Sequence, residues 1–456
     1  MSNQLLNDMI LHLADFETFN STGNSMNVDS GFATISGKPV CIFVVSGGIG
    51  QTEGRIIANT VNMAIKAGTP IIGLWDSLGA IAEEGQDVFS GYGQILQSLA
   101  QASGIVPRIL GLIGQSVGTA SLIPALMDCV IAVRGSSLSY INTPEVTKIV
   151  SGENFELTSM ANADVLEQVN ATAHMVTEDG QQCLIAIKKV LEYLPSNNID
   201  ETEQYESLDK LEFDSSKVNS FDYDMEQLLS TIVDGGTLLP VQRNYGKSII
   251  TSFGRVDGQP VGIIANQSNY KAGCMESEGL SKASRFIGVC NAFNIPIITF
   301  VNSQGFLPGI DQELGGIARQ AAKLFQAYAD ATVPKITIIV GKAYGGAFIC
   351  MGSKWNGADL VYAWPNSQIA PTNINAMIQL MYHNRFSLED DSVAFREQAL
   401  ELHKDEFTSP HEAYRKGYID KVIEPTSTSI HISNALCLFA GKRVAGISKK
   451  HSVMPM

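Results

Sequence analysis

The sequence predicts an α/β protein of two tandem domains produced by internal duplication, and three observations carry that expectation. Phe32-Ala-Thr-Ile-Ser-Gly37-Lys-Pro39-Val40 lines up with Phe253-Gly-Arg-Val-Asp-Gly258-Gln-Pro260-Val261. Gly68-Thr-Pro70-Ile-Ile-Gly-Leu-Trp75-Asp-Ser77 echoes Asn294-Ile-Pro296-Ile-Ile-Thr-Phe-Val301-Asn-Ser303. Val106-Pro107-Arg108 matches Val333-Pro334-Lys335, and 11 residues after each proline comes a glycine step, Gly118-Thr119-Ala120 or Gly345-Gly346-Ala347. Spacing kept over such a length marks duplicated architecture.

Each copy opens with alternating apolar residues around a Gly-x-Pro turn, Phe32 to Val45 and Phe253 to Ala265, which read as paired strands. A helical stretch follows, Arg55 to Ala67 or Leu280 to Phe293. Short apolar runs without polar alternation, Ile71 to Trp75 and Ile297 to Val301, read as strands buried on both faces. A second helix is expected over Val88 to Gln101 and Ile317 to Asp330. Then come a buried strand (Arg108 to Ile113; Lys335 to Val340), the glycine step, a short helix and a last strand (Val130 to Val133; Leu360 to Trp364). The order β-β-α-β-α-β-α-β describes an α/β domain.

The expected organisation is a helical segment over residues 1–30, an N-terminal domain over 31–195, an acidic linker over 196–226 and a C-terminal domain over 227–456. The linker's charge run reads as a solvated connection, and the tail from His411, with its basic end at Lys442, Arg443, Lys449 and Lys450, as a peripheral packing element. With 456 residues, 45% hydrophobic and 17% charged, the chain has apolar material for two cores. A net charge of −15 argues against binding nucleic acid through its phosphates. No uninterrupted apolar run reaches membrane-spanning length, and the acidic first residues do not read as a signal peptide. The seven cysteines, scattered without Cys-x-x-Cys, read as buried free thiols of a cytoplasmic protein.

The strongest chemistry lies at the glycine steps. Small residues at the start of a helix leave backbone N–H groups approachable, with the helix dipole adding positive potential. Two such groups aimed at one oxygen form an oxyanion hole, where losing a donor costs about 2.7–4 kcal/mol. One step alone is as well explained by packing; two at equal spacing point to function. The seven histidines are isolated and no Gly-x-Ser-x-Gly elbow is present, so no nucleophilic triad is expected. Metal-ligand spacing is absent as well. His174 reads as a packed structural residue, Asp311 and Glu313 as caps of the following helix, and Gly47-Gly48-Ile-Gly50 as an opening turn rather than a phosphate loop.

Three stretches carry a resemblance: Asn302-Ser-Gln-Gly305-Phe-Leu-Pro308-Gly309-Ile-Asp-Gln312-Glu313-Leu-Gly315-Gly316, Ala329-Asp-Ala-Thr-Val-Pro334-Lys335, and Lys342-Ala-Tyr-Gly-Gly-Ala-Phe-Ile-Cys-Met-Gly-Ser-Lys354. They resemble the carboxyltransferase (β-type) subunits of biotin-dependent acyl-CoA carboxylases, such as propionyl-CoA carboxylase, and the α subunits of methylmalonyl-CoA decarboxylases. Asp76-Ser-Leu-Gly-Ala80, Glu84-Gly85, Ser103 to Pro107 and Pro124 to Asp128 extend the likeness into the first half.

The resemblance implies two crotonase-like domains, a homohexamer, and active sites between the N-domain of one subunit and the C-domain of another. It implies that the acyl-CoA thioester oxygen binds the N–H groups of Gly118 and Thr119, with Gly79 and Ala80 on the acyl-CoA side. The biotin ureido oxygen then falls to Gly346 and Ala347, with Tyr344 and Gly345 beside them. Ile349 stands at the position associated with acyl length, implying short acyl groups from acetyl to butyryl. The cofactor supplies the base, which fits two holes without a triad. Implied partners are a separate biotin carboxyl carrier protein and either a biotin carboxylase subunit or membrane decarboxylase subunits. Carboxylation and decarboxylation use one site, so the direction stays open, as do a biotin-independent crotonase-type CoA enzyme and a non-catalytic assembly subunit. The chain departs from the family pattern at Ile81 (usually Arg), at Val301-Asn-Ser-Gln-Gly305 (usually Val-Asp-x-Pro-Gly), at Ile369-Ala-Pro-Thr-Asn373, and at Thr119, where a second glycine is common. It departs again at Ala161-Asn162 and Leu166, where the family has Gly-Gly and a histidine.

Overall fold

In the computed structural model, which describes residues 20–212, 223–386, 392–442, 444, 450 and 452–455, the chain falls into two compact units. The first runs to Glu203 and takes in Ala292–Asn294; the second is formed by Gln204–Asn291 and the chain from Ile295 onward. Residues 1–19 of the expected helical segment, 213–222 of the linker, and Arg443 and Lys449 of the basic end lie outside the described residues.

Unit 1 is built in the order β1 (Asn20–Asn24), β2 (Val28–Ile35), β3 (Lys38–Ile49), α1 (Gln51–Ala67), β4 (Ile71–Ala80), α2 (Asp87–Ala102) and β5 (Arg108–Val117). A 3₁₀ turn (Gly118–Ser121) then runs into α3 (Leu122–Ala125), β6 (Cys129–Val133), β7 (Leu138–Tyr140), α4 (Pro144–Ser151), α5 (Leu157–Met160), α6 (Ala163–Gln168), β8 (Met175–Thr177) and α7 (Gly180–Leu191). Its sheet has the order β1-β2-β3-β4-β5-β6-β8, with β7 also on β5; β3 to β6 run parallel and β1 to β3 form an antiparallel edge. The apolar runs Ile71 to Trp75 and Ile109 to Ile113 are buried, as parallel central strands require.

Unit 2 repeats the plan. It contains α8 (Met225–Ile232), β9 (Leu239–Val241), β10 (Ile249–Val256), β11 (Gln259–Asn266), α9 (Ser277–Ala292), β12 (Ile297–Ser303), α10 (Ile310–Leu314), α11 (Ile317–Asp330) and β13 (Lys335–Tyr344). There follow α12 (Gly345–Cys350), β14 (Leu360–Ala363), β15 (Gln368–Ala370), α13 (Ile374–Met381), α14 (Ser392–Thr408), α15 (Pro410–Arg415), β16 (Lys421–Val422) and α16 (Thr428–Phe439). The sheet order β16-β14-β13-β12-β11-β10-β9, with β15 on β13, mirrors the first. The duplication reaches single hydrogen bonds. Ile71 N–H donates to Pro107 O at 2.8 Å and Ile297 N–H to Pro334 O at 2.8 Å; Cys41 N–H meets Pro70 O at 2.9 Å and Gly262 N–H meets Pro296 O at 2.8 Å.

Four expectations need correction. The segment taken as helical to residue 30 is strand from Asn20, because β2 begins at Val28, opposite Val45, and β1 hydrogen bonds to its free edge. The acidic linker is not simply solvated: Tyr205 N–H donates to Gly258 O at 3.0 Å, its ring carries the Arg255 guanidinium at 3.7 Å, and Lys210 pairs with Asp257 at 2.9 Å. Its last residues, Met225 and Glu226, already belong to α8. The cysteines are not uniformly buried: Cys41, Cys129, Cys183 and Cys290 are, Cys274 and Cys350 are half-buried, and Cys437 is exposed on α16, which turns Ile432, Ala435 and Leu436 inward. Among the described residues no helix is long and apolar enough to cross a membrane.

Candidate active site

In unit 1, β4 and β5 keep register from Ile71 opposite Arg108 to Trp75 opposite Leu112, then slip so that Ser77 faces Ser116. A polar device occupies the slip. Asp76 Oδ1 accepts the Gln115 N–H at 2.8 Å, and Gly114 must be glycine, since a Cβ there would lie 2.1 Å from that oxygen. Ser77 Oγ accepts the Gly79 N–H at 3.3 Å. Gly79, at φ +97°, passes so close to the end of β5 that its Cβ would stand 3.2 Å from Val117 O. There β5 gives way to Gly118, at φ +64°, a left-handed conformation that favours glycine. The chain enters the 3₁₀ turn with the N–H groups of Gly118 and Thr119 at its start, where a helix has no internal partner for them. Gly118 is half-buried, Thr119 exposed and Ala120 buried.

Unit 2 rebuilds the same device from different letters. β12 and β13 slip between Val301 and Ser303. Asn302 Oδ1 accepts the Lys342 N–H at 3.0 Å, and a Cβ on Gly341 would lie 2.3 Å from it. Ser303 Oγ accepts the Gly305 N–H at 3.2 Å. β13 ends at Tyr344, and α12 begins with Gly345, at φ +60°. Gly345, Gly346 and Ala347 are half-buried, exposed and buried, the pattern of Gly118, Thr119 and Ala120. The counterparts of Gly118 and Thr119 are therefore Gly345 and Gly346, one residue before the Gly346–Ala347 pair that the resemblance implies. Asn302 replaces the usual aspartate without losing the bond that closes the slip.

Two other departures have structural partners. Asn373 caps α13 by accepting the Asn375 N–H at 2.9 Å, as Thr143 caps α4 from the Val146 N–H at 3.4 Å. Ile81 packs over Gly48, where a Cβ would meet its Cγ1 at 2.8 Å.

The remaining candidates have structural duties. Tyr344 is buried with its hydroxyl on Gln368 Oε1, and burial raises its pKa, so toward solvent it offers backbone only. His174 is buried and its Nδ1 accepts the Val130 N–H at 3.1 Å. Glu84 Oε2 takes the Gln51 N–H at 2.7 Å at the start of α1. Gly47 and Gly48 lie in β3 rather than in a turn, and Gly50 is the N-cap of α1. Asp311 and Glu313 sit in the first turn of the short α10, where their charge favours the helix N-terminus, while the N-cap position itself is Gly309. Among the described residues no cluster of His, Cys, Asp or Glu is arranged to hold a metal.

Beside the second step lies a cavity of about 530 Å³, and Gly345, Gly346, Ile349 and Pro371 line it. Trp355 and Tyr418, ring centroids 5.2 Å apart, form its aromatic wall. Glu406, Phe407, Glu412 and Lys416, from α14, α15 and the chain after α15, complete it. Sequence reading missed this far wall. It lies some 60 positions beyond the glycine step and carries no motif; only the Ser409-Pro410 start of α15 is a local signal. A small, mostly apolar cavity with backbone donors at one side suits a ligand with one carbonyl oxygen and an apolar body.

The model of the carboxyl transferase domain family matches residues 12–454. The α subunit of methylmalonyl-CoA decarboxylase from Veillonella parvula is 40% identical over 444 residues, covering 94% of this chain and 85% of the relative. The carboxyltransferase subunit of propionyl-CoA carboxylase from Haloferax mediterranei is 37% identical over 441 residues, covering 94% and 86%. The crystal structure of the transcarboxylase 12S hexamer with hydrolysed methylmalonyl-CoA superposes with a TM-score of 0.95 at 33% identity, covering 99% of this chain and 92% of that one.

Proposed function

Because this chain belongs to the carboxyl transferase domain family, we propose that it moves a carboxyl group between carrier-borne biotin and a short-chain acyl-CoA, of the propionyl/methylmalonyl or acetyl/malonyl type. The observation that carries the reading is the doubled device: two strand ends, each braced by a side-chain oxygen on the neighbouring strand, each delivering a left-handed glycine and the first N–H groups of a helical turn. Transfer of a carboxyl group to or from the α-carbon of a thioester needs one site for a thioester oxygen that gains negative charge. It needs another for a urea oxygen that gains it as the ring nitrogen gives up or takes its substituent.

Gly118 and Thr119, with Gly79 and Ala80 beside them, serve the thioester; Gly346 and Ala347, with Gly345, serve the urea. Biotin supplies the nitrogen that carries the carboxyl group and exchanges the proton, which accounts for a site without a catalytic acid or base from the chain. The chain's own work is orientation and charge stabilisation. Asp76 and Asn302 fix the strand ends so that the donors need no reorganisation as charge develops. Ile349 borders the acyl group and limits its length.

The assembly is a homohexamer acting in the cytoplasm with a separate biotin carrier and either a biotin carboxylase or membrane-bound decarboxylase subunits. The test is to incubate the purified chain with methylmalonyl-CoA or malonyl-CoA and free biotin and to follow release of CO2. Decarboxylation that requires biotin is the expected result. Turnover independent of biotin would replace this reading with a crotonase-type enzyme, and no turnover with either free biotin or its carrier would leave an assembly subunit.

A further inference from the structure

A relay of three side chains that ends on the far wall of the unit 2 cavity has no part in the function proposed above. The Tyr382 hydroxyl, at the end of α13, lies 2.7 Å from His403 Nε2 on α14. His403 Nδ1 lies 3.3 Å from Glu406 Oε2, one turn further along α14. With Nε2 accepting from the tyrosine, Nδ1 carries the hydrogen and donates it to the carboxylate. The imidazole is held flat by Phe407, whose ring stacks on it at a centroid separation of 5.1 Å. Glu406 and Phe407 both line the cavity.

The relay commits one oxygen of Glu406 and leaves Oε1 without a hydrogen-bond partner among the described residues. The other wall carboxylate, Glu412, is spent on Arg415, which reaches it through three contacts between 2.8 and 3.2 Å. The cavity thus offers backbone N–H donors on one side, an oriented carboxylate oxygen on the other and aromatic surface between. A cyclic urea presents the complementary set: one carbonyl oxygen, N–H donors on the ring nitrogens, and an apolar body.

We propose that Glu406 accepts the N–H of the non-reacting ureido nitrogen of biotin while the ureido oxygen occupies the donors at Gly345–Ala347, and that His403 and Tyr382 position that carboxylate. This rests on the carboxyl-transfer reading and adds to it a recognition contact made by a side chain. A hydrogen bond to a carboxylate is about twice as strong as a neutral one, and losing it weakens binding by roughly ten-fold or more. Glu406 makes the contact; His403 acts through it.

The experiment compares wild type with Glu406→Met, Glu406→Asp and His403→Ala. Equilibrium binding of free biotin is measured by calorimetry, and KM for biotin and for methylmalonyl-CoA by steady-state decarboxylation. Glu406→Met should weaken biotin binding about ten-fold or more and leave the KM for methylmalonyl-CoA unchanged. Glu406→Asp should recover part of the loss, and His403→Ala should show a smaller loss of the same kind. Biotin methylated on the non-reacting ureido nitrogen should bind wild type as weakly as biotin binds Glu406→Met, and should lose nothing further in that variant. Wild-type turnover with unchanged biotin affinity in Glu406→Met overturns the inference alone. Equal losses for biotin and acyl-CoA make the relay a structural brace, which also overturns it. A wild type that neither binds biotin nor depends on it removes the functional reading as well.

Discussion

Asn302 holds the backbone of Lys342: its Oδ1 accepts the Lys342 N–H at 3.0 Å, three residues before the left-handed Gly345. The first unit makes the same bond from Asp76 to Gln115 at 2.8 Å, three residues before Gly118. A carboxylate in one copy and an amide in the other do one job, because the job is to accept a half-buried N–H where two parallel strands slip out of register. The bond couples the end of one strand to the direction in which the next delivers its donors.

Removing that acceptor should therefore be costly. Asn302→Ala takes the acceptor from a half-buried backbone N–H, which costs about 1–3 kcal/mol in unfolding free energy, and should lower kcat as the second step loosens. Asn302→Asp keeps the acceptor and should retain most of both. Urea denaturation and steady-state decarboxylation measure the two effects; an alanine variant as stable and active as wild type would show that the bond braces nothing.

The duplication also sets Arg108 against Lys335. Arg108 forks onto Asp128 and reaches Leu99 O at 2.7 Å; Lys335 reaches Tyr328 O at 2.6 Å and shares the neighbourhood of Asp359 with Lys442. Burial, aided by the Lys442 charge and opposed by Asp359, lowers the Lys335 pKa from 10.5 to about 8. Between about pH 8 and 10.5 the unfolded chain binds a proton that the folded chain does not, so this lysine adds stability as pH rises through that window. Lys335→Arg stays charged in both states. The unfolding free energy of wild type minus that of Lys335→Arg should be flat below pH 7 and climb from pH 8 to 10; a flat difference throughout would contradict the lowered pKa.

Ile349 is 42% exposed and lines the cavity. Ile349→Asp places a charge on an apolar wall and should reorder kcat/KM among acetyl-, propionyl- and butyryl-CoA, read in the carboxylating direction. Unchanged ratios would remove Ile349 from the acyl pocket.

Exposed apolar side chains on the helices that follow the two steps, Ile149 and Val150 on α4 and Leu380 on α13, suit burial by other copies of the chain. Light scattering at micromolar concentration should give a hexamer, and a monomer would count heavily against a site completed by two subunits.

Much of the fold was legible because its signals are local. Apolar runs without alternation marked the central strands, and α11 spans the same Ile317–Asp330 stretch that the pattern proposes. The strands run past those runs, to Ala80, Val117, Ser303 and Tyr344, because their extensions are held by side-chain oxygens on backbone amides rather than by apolar burial. The short strands β7, β8, β15 and β16 have two or three residues each and no periodicity to read. The glycine steps and their alignment were visible as letters, but that each opens on a left-handed glycine, at Gly118 and Gly345, needed the backbone angles. The wall of Glu406 and Phe407 needed the third dimension altogether.

The two-hole mechanism is tested most directly by Gly346→Pro, which deletes one backbone donor outright. In a variant whose oligomer size matches wild type, biotin-dependent decarboxylation of methylmalonyl-CoA should fall by about 10²–10³-fold or more. Binding of the acyl-CoA, for which we propose Gly118 and Thr119, should survive. Thr119→Pro, at the equivalent donor of the first step and without a left-handed φ to satisfy, should give the opposite pattern, with impaired use of the acyl-CoA and intact affinity for biotin. Full carboxyl transfer by a correctly assembled Gly346→Pro variant would contradict the mechanism and reduce the second glycine step to packing.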